Sequence, residues 1–114
     1  MTTSAEIAIE RHGGTVVARL SGEVDMTNAS YVANELAASV TNDAAGLVID
    51  LTGARYLDSA AIELLFDLAR RLQHRRQELR LALPEGSPLT RLLELTEVGS
   101  VAPIYATVEA ALAE

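Results

Sequence analysis

GLVIDL, residues 46–51, is a short continuous apolar run interrupted by a single acid, Asp50. It reads as a strand buried on both faces, the kind found at the centre of a parallel sheet. Downstream, Ile62, Leu65, Leu68, Ala69 and Leu72 recur at steps of three and four, which predicts a helix from about Ser59 to His74 with these residues on its buried side. The polar stretch between the two reads as a loop. LRLAL, residues 79–83, then alternates with period two and stops at Pro84.

Ser87 and Pro88 have the form of an N-cap and first-turn proline opening a third helix, with Gly99 closing it. VAPIY, residues 101–105, suits a short edge strand, where proline is tolerated, and Thr107 can cap a last helix through Leu112. Upstream of the central strand, Ala29, Val32, Ala33, Leu36, Ala37 and Val40 have helical spacing, with Thr27 or Asn28 as N-cap. Before them, Ile7 and Ile9, then Val16, Ala18 and Leu20, alternate about Gly13-Gly14, the pattern of a hairpin. The predicted order ββαβαβαβα describes one α/β domain over residues 1–114. Its mixed sheet of four to five strands opens with an antiparallel hairpin and packs against about four helices.

The 114 residues are 49% hydrophobic with few aromatics, which fits one modest aliphatic core. Sixteen acidic residues against nine basic ones give a net charge of −7, a field that repels nucleic acid and anionic membrane surfaces. No nucleic-acid partner and no direct membrane insertion are expected. The absence of cysteine excludes disulfides, thiolate metal sites and cysteine nucleophiles. No run approaches the roughly 20 apolar residues of a membrane span, and the first residues lack a basic segment followed by an apolar one, so a cytoplasmic location is expected. Open strand edges allow a monomer or a weak dimer.

Little supports catalysis. His12 at the hairpin and His74 near a helix end read as solvated residues, and neither a G-x-x-x-x-G-K-[ST] loop nor G-x-G-x-x-G is present. Arg70, Arg71, Arg75, Arg76 and Arg80 read as a helix end whose cations suit the helix dipole. Asp25, Asp50 and Asp58 stand at strand and helix ends, where capping accounts for them without a Mg²⁺ ion; no metal and no cofactor are expected. Asp25 and Ser59 should converge on one edge from neighbouring strand ends. A hydroxyl at a helix start faces unpaired N–H groups and the positive dipole end, so a phosphate can be added there without disrupting the helix.

LSGEVDMTNA (20–29), GLVIDLTGARYLDSAAIELL (46–65) and LPEGSPLTRLLELTEVGSVAPIYATVEAAL (83–112) together resemble the STAS domain family, and within it the anti-sigma-factor antagonists. The most specific parts are Gly22-Glu23-Val24-Asp25 and the run from Ile49 to Asp58-Ser59. The resemblance implies a non-enzymatic partner switch. The unmodified antagonist binds an anti-sigma factor that is also a serine kinase, phosphorylation of Ser59 ends that binding, and a PP2C-type phosphatase restores it. It further implies that Asp25 is the acidic neighbour of the modified serine. Asp58, Ser59, Ala60, Ala61, Ile62 and Leu65 correspond to the start of the partner-docking helix.

This chain departs from the family's usual Asp-Ser-Ser-Gly-Leu in having Asp58-Ser59-Ala60-Ala61-Ile62. The acceptor serine is kept, while Ala61 places a methyl where glycine would let another backbone approach. A second reading within the same family is an accessory subunit of a membrane transporter of the ABC lipid-transport type, binding its ATPase.

Overall fold

The computed structural model describes residues 4–114. Strand β1 (Ala5–His12) and strand β2 (Thr15–Val24) form the expected antiparallel hairpin, Ile7 opposite Leu20 and Ile9 opposite Ala18. Helix α1 (Ala29–Ser39), strand β3 (Gly46–Asp50), strand β4 (Ala54–Leu57) and helix α2 (Ser59–His74) follow. Strand β5 (Glu78–Ala82), helix α3 (Thr90–Thr96), a 3-10 turn (Val98–Ser100), strand β6 (Ile104–Tyr105) and helix α4 (Val108–Ala113) complete the chain.

The sheet runs β1-β2-β3-β5-β6, and every pairing after the first hairpin is parallel. Each crossover steps one place along the sheet in the same direction, so right-handedness carries α1, α2 and α3 to one face. Alternation along β2 matches this. Val16, Ala18 and Leu20 point into the main core beneath Val32 and Leu36 of α1 and Leu65, Leu68 and Leu72 of α2. Val17 points the other way, joining Val48, Ala82 and α4's Val108 and Ala111 in a smaller core. Because both faces of β3 are covered, all five of its residues are buried, which is why GLVIDL is apolar without alternation.

β4 is the element that sequence patterning missed. Its four residues extend the line of β3 and pair with the far end of β2, Val24 against Leu57. Arg55 and Tyr56 face solvent and only Ala54 and Leu57 are buried, so the segment looks polar. Gly22 makes the junction possible: its φ of 96° lies in the left-handed region, and a Cβ there would stand 2.3 Å from the Ser4 carbonyl oxygen.

Several boundaries differ from expectation. α1 begins at Ala29, and Asn28 precedes it without capping it, because its Oδ1 accepts the Asp25 N–H instead. α3 begins at Thr90, although Ser87 Oγ accepts the Leu89 N–H at 3.1 Å, the bond a cap would make one turn earlier. Glu97, at φ 58°, takes the left-handed closing position assigned to Gly99. The last edge strand shortens to Ile104–Tyr105. Thr107 caps α4 as expected, accepting from the Ala110 N–H at 3.0 Å. Among the described residues, no helix is long and apolar enough to cross a membrane.

Candidate functional site

β2 and β4 end side by side, and the loop after β2 meets the start of α2. Asp58 joins them. Its N–H donates to the Val24 carbonyl at 3.2 Å, holding the two strand ends together. Its Oδ1 accepts the N–H groups of Ala60 and Ala61 at 2.9 and 3.1 Å, which makes Asp58 the N-cap of α2. Its Oδ2 reaches across and accepts the Met26 N–H at 3.1 Å. One carboxylate therefore satisfies orphan donors of a helix start and fixes a loop from another element.

With the cap supplied by Asp58, Ser59 is the first helical residue and its side chain is exposed. It need not be spent on helix architecture. Asp25 lies in the adjoining loop, where its Oδ1 accepts both the N–H and the hydroxyl of Thr27, at 2.9 and 2.5 Å. Its carbonyl accepts the first N–H of α1, from Ala29, at 2.9 Å. Asp25 and Ser59 thus reach the same edge of the domain from adjacent strand ends.

The helix residues divide between two faces. Ala61, Ile62 and Leu65 are 1%, 7% and 2% exposed and belong to the main core, so they hold α2 onto the sheet and are not available to a visiting protein. That corrects the expectation that they dock a partner, since one side chain cannot fill both the core and an interface. The accessible start of α2 is carried by Ser59, half-buried Ala60 and exposed Glu63. Ala61's methyl points inward as well, so it presents no obstacle to a backbone approaching from outside.

Sequence reasoning passed over Met26, which is 80% exposed beside Asp58. An isolated apolar side chain in a polar loop leaves no periodic signal; only its position next to the cap singles it out. Ala60 and Glu63 also border an open groove of about 490 Å³ against α1's Ala29, Ser30 and Ala33. The far end of α2 is basic, with Arg70, Arg71, Arg75 and Arg76 exposed. Arg70 pairs with Asp67, and Arg75 bonds the Val40 carbonyl at 3.1 Å. Arg80 departs from this group to bond the terminal carbonyls of α4, Ala111 among them, at 2.9 Å.

Asp50 does not join Asp25 and Asp58. It faces the opposite side of the sheet, where Arg19 holds it at 2.8 Å and Thr52 donates both its N–H and its hydroxyl. Among the described residues, no three His, Cys, Asp or Glu side chains are grouped to hold a metal ion. Arg19 also binds Glu10 at 3.0 Å. The His12 hydrogen bond, aided by the Arg19 charge, holds the Glu10 carboxyl below its ordinary value of 4.5, and Glu10 in turn raises the Arg19 guanidinium. His12 and His74 are both exposed.

The family model of the STAS domain matches residues 6–111. The chain is 26% identical over 115 residues to the anti-sigma-F factor antagonist RsfA of Mycobacterium tuberculosis, covering 98% of this chain and 88% of the relative. The crystal structure of an anti-sigma factor antagonist from Mycobacterium paratuberculosis superposes with a TM-score of 0.84 at 27% identity, covering 96% of this chain and 92% of that one. The phosphorylated form of the Bacillus cell fate determinant SpoIIAA shares the fold at a TM-score of 0.64 and 22% identity, over 95% of this chain and 97% of that one.

Proposed function

The chain belongs to the STAS domain family, and from that premise we propose that it is an anti-sigma-factor antagonist switched at Ser59. Unphosphorylated, it docks on an anti-sigma factor that is also a serine kinase, using the edge formed by Asp25, Met26, Asp58, Ser59, Ala60 and Glu63. The kinase brings Mg-ATP and transfers the γ-phosphoryl group to the Ser59 hydroxyl, and a PP2C-type phosphatase removes it. This chain is substrate and ligand in the cycle, and the enzymes are its partners.

The observation that carries the reading is the division of labour between neighbours: Asp58 caps α2, leaving Ser59 exposed on the rim. A phosphate on Ser59 adds a charge of about −1.5 to −2. It sits at the positive end of the helix dipole, so the fold tolerates it. The same charge stands beside Asp58 and Glu63, so a partner matched to the unmodified edge meets new repulsion and a new bulk.

Incubation with anti-sigma kinases and ATP, followed by mass spectrometry, tests the switch. One phosphate on Ser59 is expected, and a Ser59→Ala protein labelled to the same extent overturns it. Capture of a transporter ATPase in place of an anti-sigma factor in a pull-down would assign the chain to the accessory-subunit role instead.

A further inference from the structure

Among the described residues, β1 is the outermost strand of the sheet, and only its edge toward β2 is paired. The Glu23 N–H donates to the Ser4 carbonyl at 3.0 Å, and Ala5 stands opposite Gly22. Antiparallel alternation from that bond turns the backbone of Glu6, Ala8, Glu10 and His12 toward β2. The N–H and C=O groups of Ala5, Ile7, Ile9 and Arg11 therefore point away from the sheet. Ile7 packs on the main core, whereas Ile9 on the same face remains 45% exposed at this open edge.

We propose that a second copy of this chain occupies the edge, β1 against β1, antiparallel about a two-fold axis at Ile9. An axis perpendicular to the sheet keeps the two faces continuous, so only residues on the same face can stand opposite each other. Charge then selects the register. Centred on Ala8, the pairing sets Glu6 against Glu10 of the second copy; centred on Glu10, it sets the two Glu10 side chains together. Like charges directly opposite are destabilising. Centred on Ile7, the overlap shortens to Ala5–Ile9.

Centred on Ile9, the overlap runs from Glu6 to His12. Glu6 stands opposite His12 of the second copy, Ile7 opposite the aliphatic stem of its Arg11, and each Ile9 covers the other. The outward N–H and C=O groups of Ile7, Ile9 and Arg11 are the ones this register bonds. The contact is a single strand pair, so the dimer belongs to the small, weak class of interfaces. It lies on the opposite side of β2 from β3 and β4 and leaves the Ser59 rim uncovered.

The chain contains no cysteine, so a single introduced one reports the register. A hydrogen-bonded antiparallel pair holds its Cα atoms about 5.5 Å apart, inside the range a disulfide spans. Ile9→Cys is expected to yield a disulfide-linked dimer with oxidised glutathione, well ahead of Ala8→Cys and Glu10→Cys. Sedimentation equilibrium of the cysteine-free chain is expected to show a monomer–dimer equilibrium below about 1 mM. Ile9→Lys should raise its dissociation constant about tenfold or more. A strictly monomeric chain at that concentration, or cross-linking fastest through Ala8→Cys, overturns the proposal.

Discussion

Asp58 accepts the backbone N–H of Met26, 32 positions earlier in the chain, at 3.1 Å. With its other oxygen it caps α2, so the geometry of the loop carrying Met26 and the start of the helix carrying Ser59 depend on one carboxylate.

Asp58→Ala removes that arrangement. Loss of the cap should cost about 1–2 kcal/mol of stability, read as a lower midpoint in urea with an unchanged slope. Asp58→Asn keeps a capping oxygen and should recover most of that stability. Kinase labelling of Ser59 should fall further in Asp58→Ala than the stability change accounts for, because the loop carrying Met26 is released as well.

Leu65 and Met26 are expected to separate folding from binding. Leu65→Ala empties a buried position and should cost about 2–5 kcal/mol in denaturant unfolding. Met26→Ala touches a side chain 80% exposed and should change stability by less than about 0.5 kcal/mol. Calorimetric titration with the anti-sigma factor should nonetheless show weaker binding for Met26→Ala. Unaltered affinity would remove Met26 from the interface.

Two left-handed positions give opposite signs. Gly22→Ala forces a Cβ against the Ser4 carbonyl oxygen at a φ of 96°, and a loss of about 2 kcal/mol or more is expected. Arg76, at φ 58°, closes α2: the Gln77 N–H reaches the Leu72 carbonyl at 2.8 Å and the Arg76 N–H reaches that of Gln73 at 3.0 Å. Glycine is the usual residue in such a motif, so Arg76→Gly should stabilise the chain by up to about 1 kcal/mol. Thermal melts of both variants check the pair.

Glu10 sets a dependence on acid. Its folded-state pKa is lowered by the His12 hydrogen bond and the Arg19 charge, so its contribution is fully present above the ordinary value of 4.5 and fades as the pH falls below that. Glu10→Gln should therefore be less stable than the parent near neutrality and converge with it in acid. The site is exposed, so the gap is expected to be small and to shrink in salt. A constant gap from neutral to acidic pH would assign the effect to packing.

Much of this molecule is legible in its sequence because most elements are long enough to show a period. GLVIDL, the Ile62–Leu72 spacing and the Gly13-Gly14 hairpin place the central strand, α2 and the first sheet edge directly. β4 escapes because four residues with two facing water carry no period, and because its place depends on a bulge at Gly22 that only the packed sheet reveals. The site was half visible. Asp58 and Ser59 announce a helix start, but which of them caps it depends on φ and ψ. Ile62 and Leu65 had the spacing of a buried face all along, and that spacing, rather than correspondence to a docking helix, decided where they point.

α2 carries Asp58 and Glu63 near one end and Arg70, Arg71, Arg75 and Arg76 at the other. Each pole is opposite in sign to the backbone dipole beneath it, which steadies the helix. In solution the two poles give this face of the domain a field that biases how a charged partner approaches within about a Debye length, before contact. Added salt should blunt that guidance and slow encounter, while the lifetime of the complex, set by close contact, changes far less.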